Sequence, residues 1–187
     1  MKELPVRKHL RLKGYNYSHN GMYYITMCVK DRHELLGKIV GAIINRPQCA
    51  TCVSHCDANV SHSEANTHTP NVLLSDYGKI TDNAINAIQN HYIHAVVDKY
   101  VIMPNHVHII LILCENDMNG RLIIAPTSVS YIVQQLKRYI TKQIGFSLWQ
   151  KSFHDHIIRD EAEYQRISQY IDENPERWAE DEFYIDM

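Results

Sequence analysis

The stretch from Tyr100 to Leu113, YVIMPNHVHIILIL, constrains this chain more than any other. Two runs of β-branched and aliphatic residues flank Pro104-Asn105, so Tyr100–Met103 and His106–Leu113 are expected as strands meeting at a turn. Ile109 to Leu113 is continuously apolar, the pattern of a strand in the middle of a sheet and covered on both faces. His106 and His108 lie two apart at the start of that strand. Alternate residues of a pleated strand face the same side, so both imidazoles leave one face while Val107 packs on the other. Two such rings suit a metal-binding pair. Taken alone, the pattern also fits strand-end histidines that are partly exposed and hydrogen-bonded to their neighbours.

The other elements fall into place around this hairpin. Residues 1–20 are a basic arm, and Met22–Val29, MYYITMCV, is rich in the β-branched and aromatic residues of a strand. Asp31–Leu36 reads as a short turn or helix and Lys38–Ile44 as a strand. Val72–Lys79 returns to strand or turn character, ending at Gly78. Thr81 is then an N-cap, and Ala84, Ile85, Ala87, Ile88 and Tyr92 recur at helical spacing to about His94. After a weak strand at Leu122–Ile124, Ser128 or Ser130 caps a second helix. Its stripe of Ile132, Val133, Leu136, Ile140 and Ile144 leaves Lys137, Arg138 and Lys142 outside. His154–Ile158 alternates like a strand, and Asp160 opens a last helix that stops at Asn174-Pro175, because a residue before proline is pushed out of the α region. Strands separated by helices around an antiparallel hairpin predict an α+β fold, a ferredoxin-like sandwich with helices packed on a central antiparallel sheet.

A chain of 187 residues fits one domain with a sizeable core. Residues 45–71 are polar, Pro-flanked and free of long aliphatics, a probable site for a loop insertion by composition. Cys49, Cys52 and Cys56 with His55, His62 and His68 make that insertion either a zinc knuckle or a loop with idle thiols. Five cysteines are an odd number, and Cys28 and Cys114 sit in strand-like runs, so no disulfide framework is expected. No apolar run approaches the ~20 residues that span a bilayer. The first residues carry charge without an apolar segment, so no secretory signal is read and a cytoplasmic protein is expected.

A net charge of −2 argues against a generic polyanion binder, but the charges are unevenly placed. Lys2, Arg7, Lys8, Arg11 and Lys13 crowd the arm, and Lys137, Arg138, Lys142 and Lys151 lie in a stretch without acids. From Asp160 onward acids dominate, and residues 176–187 read as an acidic tail. Tyr170 and Asn174 are four apart and so share a face of the last helix. Should that face meet the histidine end of the sheet, an amide oxygen joins two imidazoles around one cation, with a phenol beside it. That is a constellation for cleaving a phosphodiester. The cation polarises a phosphate oxygen, and the phenol, once activated, attacks phosphorus. Mg²⁺ or Mn²⁺ suits such a site better than a closed zinc cage does. Tyr170 has the amide of Asn174 four residues on and is preferred; Tyr139 on the basic helix, with Gln143 four on, is the competing nucleophile. His154 and His156 are available for proton transfer, phosphate contact or packing.

Three ordered motifs, RLKGYNYSHNGMYYITMCVKDR, VIMPNHVHIILIL and LWQKSFHDHIIRDEAEYQRISQYIDENPERW, together resemble the His-hydrophobic-His, single-tyrosine transposases, and within them the REP-associated tyrosine transposases. The resemblance spans most of the chain apart from the insertion. It implies a ferredoxin-like sheet, His106 and His108 as the metal-binding pair, Asn174 in the place of the third ligand, and Tyr170 as the nucleophile. It further implies single-stranded or hairpin DNA as substrate, cleaved through a 5′-phosphotyrosine link, by a monomer or homodimer. The basic residues Arg7, Lys8, Arg11, Lys13, Lys137, Arg138 and Lys142 are then candidates for phosphate contacts, and Tyr15, Tyr17, Tyr23 or Trp149 for stacking on unpaired bases. A non-catalytic hairpin-binding protein and a phosphodiesterase that uses water are the alternatives.

Overall fold

The computed structural model describes residues 17–40, 71–114 and 127–184. In chain order, β1 (Gly21–Cys28) is followed by a 3-10 turn at Lys30–Arg32 and by a two-stranded ribbon of β2 (Gly37–Val40) and β3 (Asn71–Leu74). α1 (Asp76–Asn86) and the single turn α2 (Ile88–His91) lead to the hairpin of β4 (Ala95–Ile102) and β5 (His106–Leu113). Then come α3 (Val129–Ile144), β6 (His154–Ile158) and α4 (Glu161–Glu173). β1, β4, β5 and β6 form one antiparallel sheet in the order β4-β5-β1-β6. That order, with α1 between the first two of these strands and α3 between the last two, is the ferredoxin-like arrangement the sequence predicts.

The period of two divides the sheet's side chains between two layers. Tyr23, Ile25 and Met27 of β1 and Val107, Ile109 and Leu111 of β5 face one way, into a core closed by Ile85 of α1 and Ile132, Val133 and Ile140 of α3. One residue out of phase, Tyr24 of β1 and Ile110 of β5 face the other way, under Ile167 and Ile171 of α4. β5 is therefore covered on both faces, which is why its sequence does not alternate.

The turn between β4 and β5 is buried, unlike most connections. Its backbone groups are paired: Val29 N donates to Asn105 O at 2.8 Å, Leu36 N to Pro104 O at 2.9 Å, and Met103 N to His106 O at 2.8 Å. So the first residue of β5 is fixed in place. Residues 176–184, read as the start of an acidic tail, fold back onto the same region. Trp178 and Phe183 bury against Cys28 and Met103, and burial of these rings holds the segment despite its acids.

Three expectations are corrected. α1 starts at Asp76, not after Thr81: the Ser75 hydroxyl caps it, accepting from Gly78 N at 3.1 Å, and Thr81 sits inside the helix, bonded to Tyr77 O. Gly78 reads as a stop but is helical because a Cβ there would come within 2.0 Å of Leu36 O. Tyr23 and Trp149, candidates for base stacking, are buried in the core. Lys137 does not point out with Arg138 and Lys142. Its Nζ donates to Gln150 O at 3.1 Å and Ser152 O at 2.7 Å, satisfying loop carbonyls, above the Phe153 ring. The arm with Arg7, Lys8, Arg11 and Lys13, the Cys/His-bearing stretch up to residue 70, and Leu122–Ile124 lie outside the described residues. Among the described residues Cys28 and Cys114 are free thiols. No described helix is long and apolar enough to cross a membrane.

Candidate active site

His106 and His108 leave β5 on the α4 side, their ring centroids 4.5 Å apart and their exposure 0% and 1%. Each ring is held through Nδ1. His106 Nδ1 meets Asn105 Oδ1 at 2.9 Å. The Asn105 amide is itself oriented, because its Nδ2 donates to Arg32 O at 3.1 Å and Phe183 O at 2.8 Å. An amide oxygen only accepts, so Nδ1 of His106 carries the proton and Nε2 presents a bare lone pair. His108 Nδ1 lies 2.7 Å from the Tyr24 hydroxyl and 2.9 Å from Thr26 Oγ1, both supplied by the neighbouring strand β1. On both rings Nε2 is buried with no hydrogen-bond partner. Burial holds His106 down at about 4 against the pull of the Asp181 carboxylate, and it holds His108 well below the usual imidazole range, with His106 adding to the effect. Both rings are thus neutral near pH 7, the form in which imidazole ligates a metal.

α4 brings the remaining groups. Its sheet-facing stripe runs Ile167, Ile171 and Asn174, and Tyr170 sits at the margin of that stripe. Asn174 is 2% exposed and lies beside His106, whereas Tyr170 is 38% exposed, with its ring centroid 5.4 Å from that of His108. Asp181, from the segment that folds back, ties the two together. Its Oδ2 accepts from Tyr170 OH at 3.2 Å and from Asn174 Nδ2 at 3.0 Å, and its Oδ1 accepts from Phe183 N at 2.7 Å. With the amide nitrogen so engaged, Asn174 Oδ1 is left buried and unpartnered. Burial and the adjacent Asp181 push the Tyr170 phenol up to about 12, so it is neutral at pH 7.

Three buried atoms without partners, two imidazole nitrogens and one amide oxygen, would cost about 1–3 kcal/mol each if they stayed unbonded. Ligand atoms of His106, His108 and Asp181 all lie within 4.8 Å of one another. A divalent cation fits this set of imidazole, amide and carboxylate donors.

A cleft of about 560 Å³ opens from His108, floored by Tyr24 and Thr26, walled by Tyr170 and Phe183, and edged by Arg32, His154 and Arg166. His156 instead bonds Glu163 at 2.6 Å. Tyr139 stands on α3, 52% exposed beside Ile88 and Tyr92. α3 covers the opposite layer, so the sheet lies between Tyr139 and the histidines, and within one chain this alternative nucleophile does not meet them. Arg138 and Lys142 are exposed on the same distant helix. Asn105 and Asp181 were missed in the sequence. Asn105 reads only as a turn residue, and Asp181 is one acid among many; the flanking Trp178 and Phe183 were the one hint that its segment is anchored.

No protein-family model matches the sequence. Over 197 aligned residues the chain is 28% identical to an uncharacterized protein of Haemophilus influenzae, covering 96% of this chain and 94% of that protein. Over 108 residues it is 30% identical to a provisionally named REP-associated tyrosine transposase of the same organism, covering 54% of this chain and 61% of that protein. Among solved structures, a REP-associated tyrosine transposase bound to a REP hairpin superposes with a TM-score of 0.55 at 17% identity, over 88% of this chain and 72% of that one. The resemblance read in the sequence therefore has a counterpart in the fold.

Proposed function

We propose that this chain is a metal-dependent transposase of the REP-associated, His-hydrophobic-His class, which nicks and rejoins one strand of hairpin DNA through a covalent link to Tyr170. The observation that carries the reading is that His108 and Tyr170 line one cleft, with His106 packed against His108 and Asn174 joined to Tyr170 through Asp181, while His106, His108 and Asn174 each keep a buried ligand atom without a partner. The solved transposase of this fold is bound to a REP hairpin, which supports hairpin DNA as the substrate. Such an enzyme would act in the cytoplasm, where its DNA is.

His106 Nε2, His108 Nε2 and Asn174 Oδ1 would hold the cation, with Asp181 within reach. A bound Mg²⁺ or Mn²⁺ supplies Lewis acidity to a phosphate oxygen and to the departing 3′ oxygen. Asn105, Tyr24 and Thr26 hold the two rings with Nε2 outward. Asp181 orients the Tyr170 hydroxyl and takes its proton as the phenol oxygen attacks phosphorus. A bond from Tyr170 to phosphorus forms as the bond from phosphorus to the 3′ oxygen breaks, and that oxygen leaves with a proton from water in the cleft. Rejoining is the reverse. A 3′ hydroxyl attacks the phosphotyrosine and gives its proton to water in the cleft, the bond from phosphorus to the Tyr170 oxygen breaks, and Asp181 returns the proton to the phenol.

Incubating the protein with end-labelled hairpin oligonucleotides and Mn²⁺, followed by a denaturing gel and mass spectrometry, tests this. An adduct on Tyr170 is expected, absent with EDTA, in Tyr170→Phe and in His106→Ala. Binding without cut or adduct makes the chain a hairpin-binding protein, and cleavage without an adduct puts water in the place of the tyrosine.

A further inference from the structure

The cleft continues past the histidines to a pair of side chains that the chemistry above does not use. Thr26 is paired with His108 on one side and with His154 on the other, so His108, Thr26 and His154 form one cross-strand row. Members of such a row face the same side, with ~4.8 Å between neighbouring strands, which puts His154 ~10 Å from His108 toward the sheet edge. α4 repeats the geometry from above. Arg166 is four residues before Tyr170, one helical turn away on the same face, and both line the cleft. His154 and Arg166 thus line the same cleft as His108 and Tyr170.

Beside His108 and Tyr170 the cleft therefore presents an exposed imidazole and a guanidinium. Arg166 has only a loose contact to Glu163, at 3.6 Å. Glu163 is already engaged, by His156 at 2.6 Å and by Arg159 N at 2.9 Å. The guanidinium fork therefore keeps donors for a ligand, and its planar geometry matches phosphate oxygens. The other guanidinium of the cleft is committed elsewhere: Arg32 Nη1 donates to Glu182 O at 2.8 Å, with its guanidinium 5.2 Å from the centre of the Phe183 ring.

We infer that Arg166 and His154 form a phosphate seat that takes the backbone phosphate adjoining the one Tyr170 attacks. The inference rests on the transposase reading and deepens it. A seat of this kind neutralises a phosphate without reading a base, so it sets the register in which the strand is presented to Tyr170.

The test uses the full chain, with Arg166→Gln and His154→Gln variants, and hairpin oligonucleotides carrying one neutral methylphosphonate at successive positions around the cut. For Arg166→Gln, affinity falls about tenfold and KM rises while kcat holds. The slope of log affinity against log salt shallows by about 0.7, the value for one phosphate of a single strand. A methylphosphonate at the adjoining position weakens the wild type but weakens Arg166→Gln no further. Wild-type affinity and salt slope in both variants, or penalties of variant and neutral linkage that simply multiply, overturn the seat. A wild-type adduct on Tyr170 alongside that result leaves the transposase reading standing. If the wild type neither binds the hairpin nor forms an adduct, both fall.

Discussion

At residue scale Asn105 accepts from one imidazole while donating to two carbonyls, and so fixes which nitrogen of His106 is bare. Asn105→Ala should therefore weaken Mn²⁺ binding by about 10- to 100-fold, the usual cost of losing a group that orients a ligand. It should also lower stability by about 1–3 kcal/mol, since Arg32 O and Phe183 O lose a donor. Calorimetric titration with Mn²⁺ and urea denaturation measure the two effects separately. Lys137 gives a pH signature. Burial pushes it from 10.5 down to about 8 in the folded chain. Between those values the unfolded chain binds more protons at this site, so the contribution of Lys137 to stability should rise with pH from about 8 to 10.5. Lys137→Met should lack that rise, and urea midpoints at several pH values would show whether it does. His106, His108, Tyr170 and Asn174 were legible because spacings of two and four translate directly into shared faces. Asn105 and Asp181 were not, because their roles depend on partners 78 and 11 residues away.

At the scale of elements, α4 carries Tyr170, the nucleophile proposed above, and its placement has several supports. The Asp160 carboxylate caps it by accepting from Glu163 N at 2.8 Å. Lys99 bonds Ser168 at 2.7 Å and Asp172 at 2.8 Å, and the Tyr164 hydroxyl bonds Asp98 at 2.8 Å, so the helix is tied to β4 along its length. Asp160→Ala should cost about 1 kcal/mol of stability in chemical denaturation while leaving Tyr170 in place. A loss of adduct formation far beyond that stability change would mean the cap also sets the nucleophile. The start of α4 was readable because an N-cap and early acids are local signals. The start of α1 was not: glycine reads as a break, and only the approach of Leu36 O explains why a helix carries one at Gly78.

The whole molecule divides its labour between the two sides of one sheet. The side under α1 and α3 is sealed by aliphatic packing, and the side under α4 holds the candidate site. The sandwich was legible from pattern alone, because a continuous apolar strand demands cover on both faces. The packing of residues 176–184 over the site was not, since their acids hid two anchoring rings.

β2 and β3 end in register, with Val40 opposite Asn71. Replacing residues 41–70 by Asn-Gly should close a two-residue hairpin and stabilise the chain by up to about 2 kcal/mol, four doublings of loop length at ~0.6 each. Adduct formation at Tyr170 should persist, and denaturation midpoints together with the labelling gel would expose any deeper dependence. Because that pairing holds both ends one strand apart, the sheet is indifferent to how much chain passes between them. The position is thus a splice point: changing the length of chain between the two strands should leave the sheet's register, and with it the candidate site on β5 and α4, where it is.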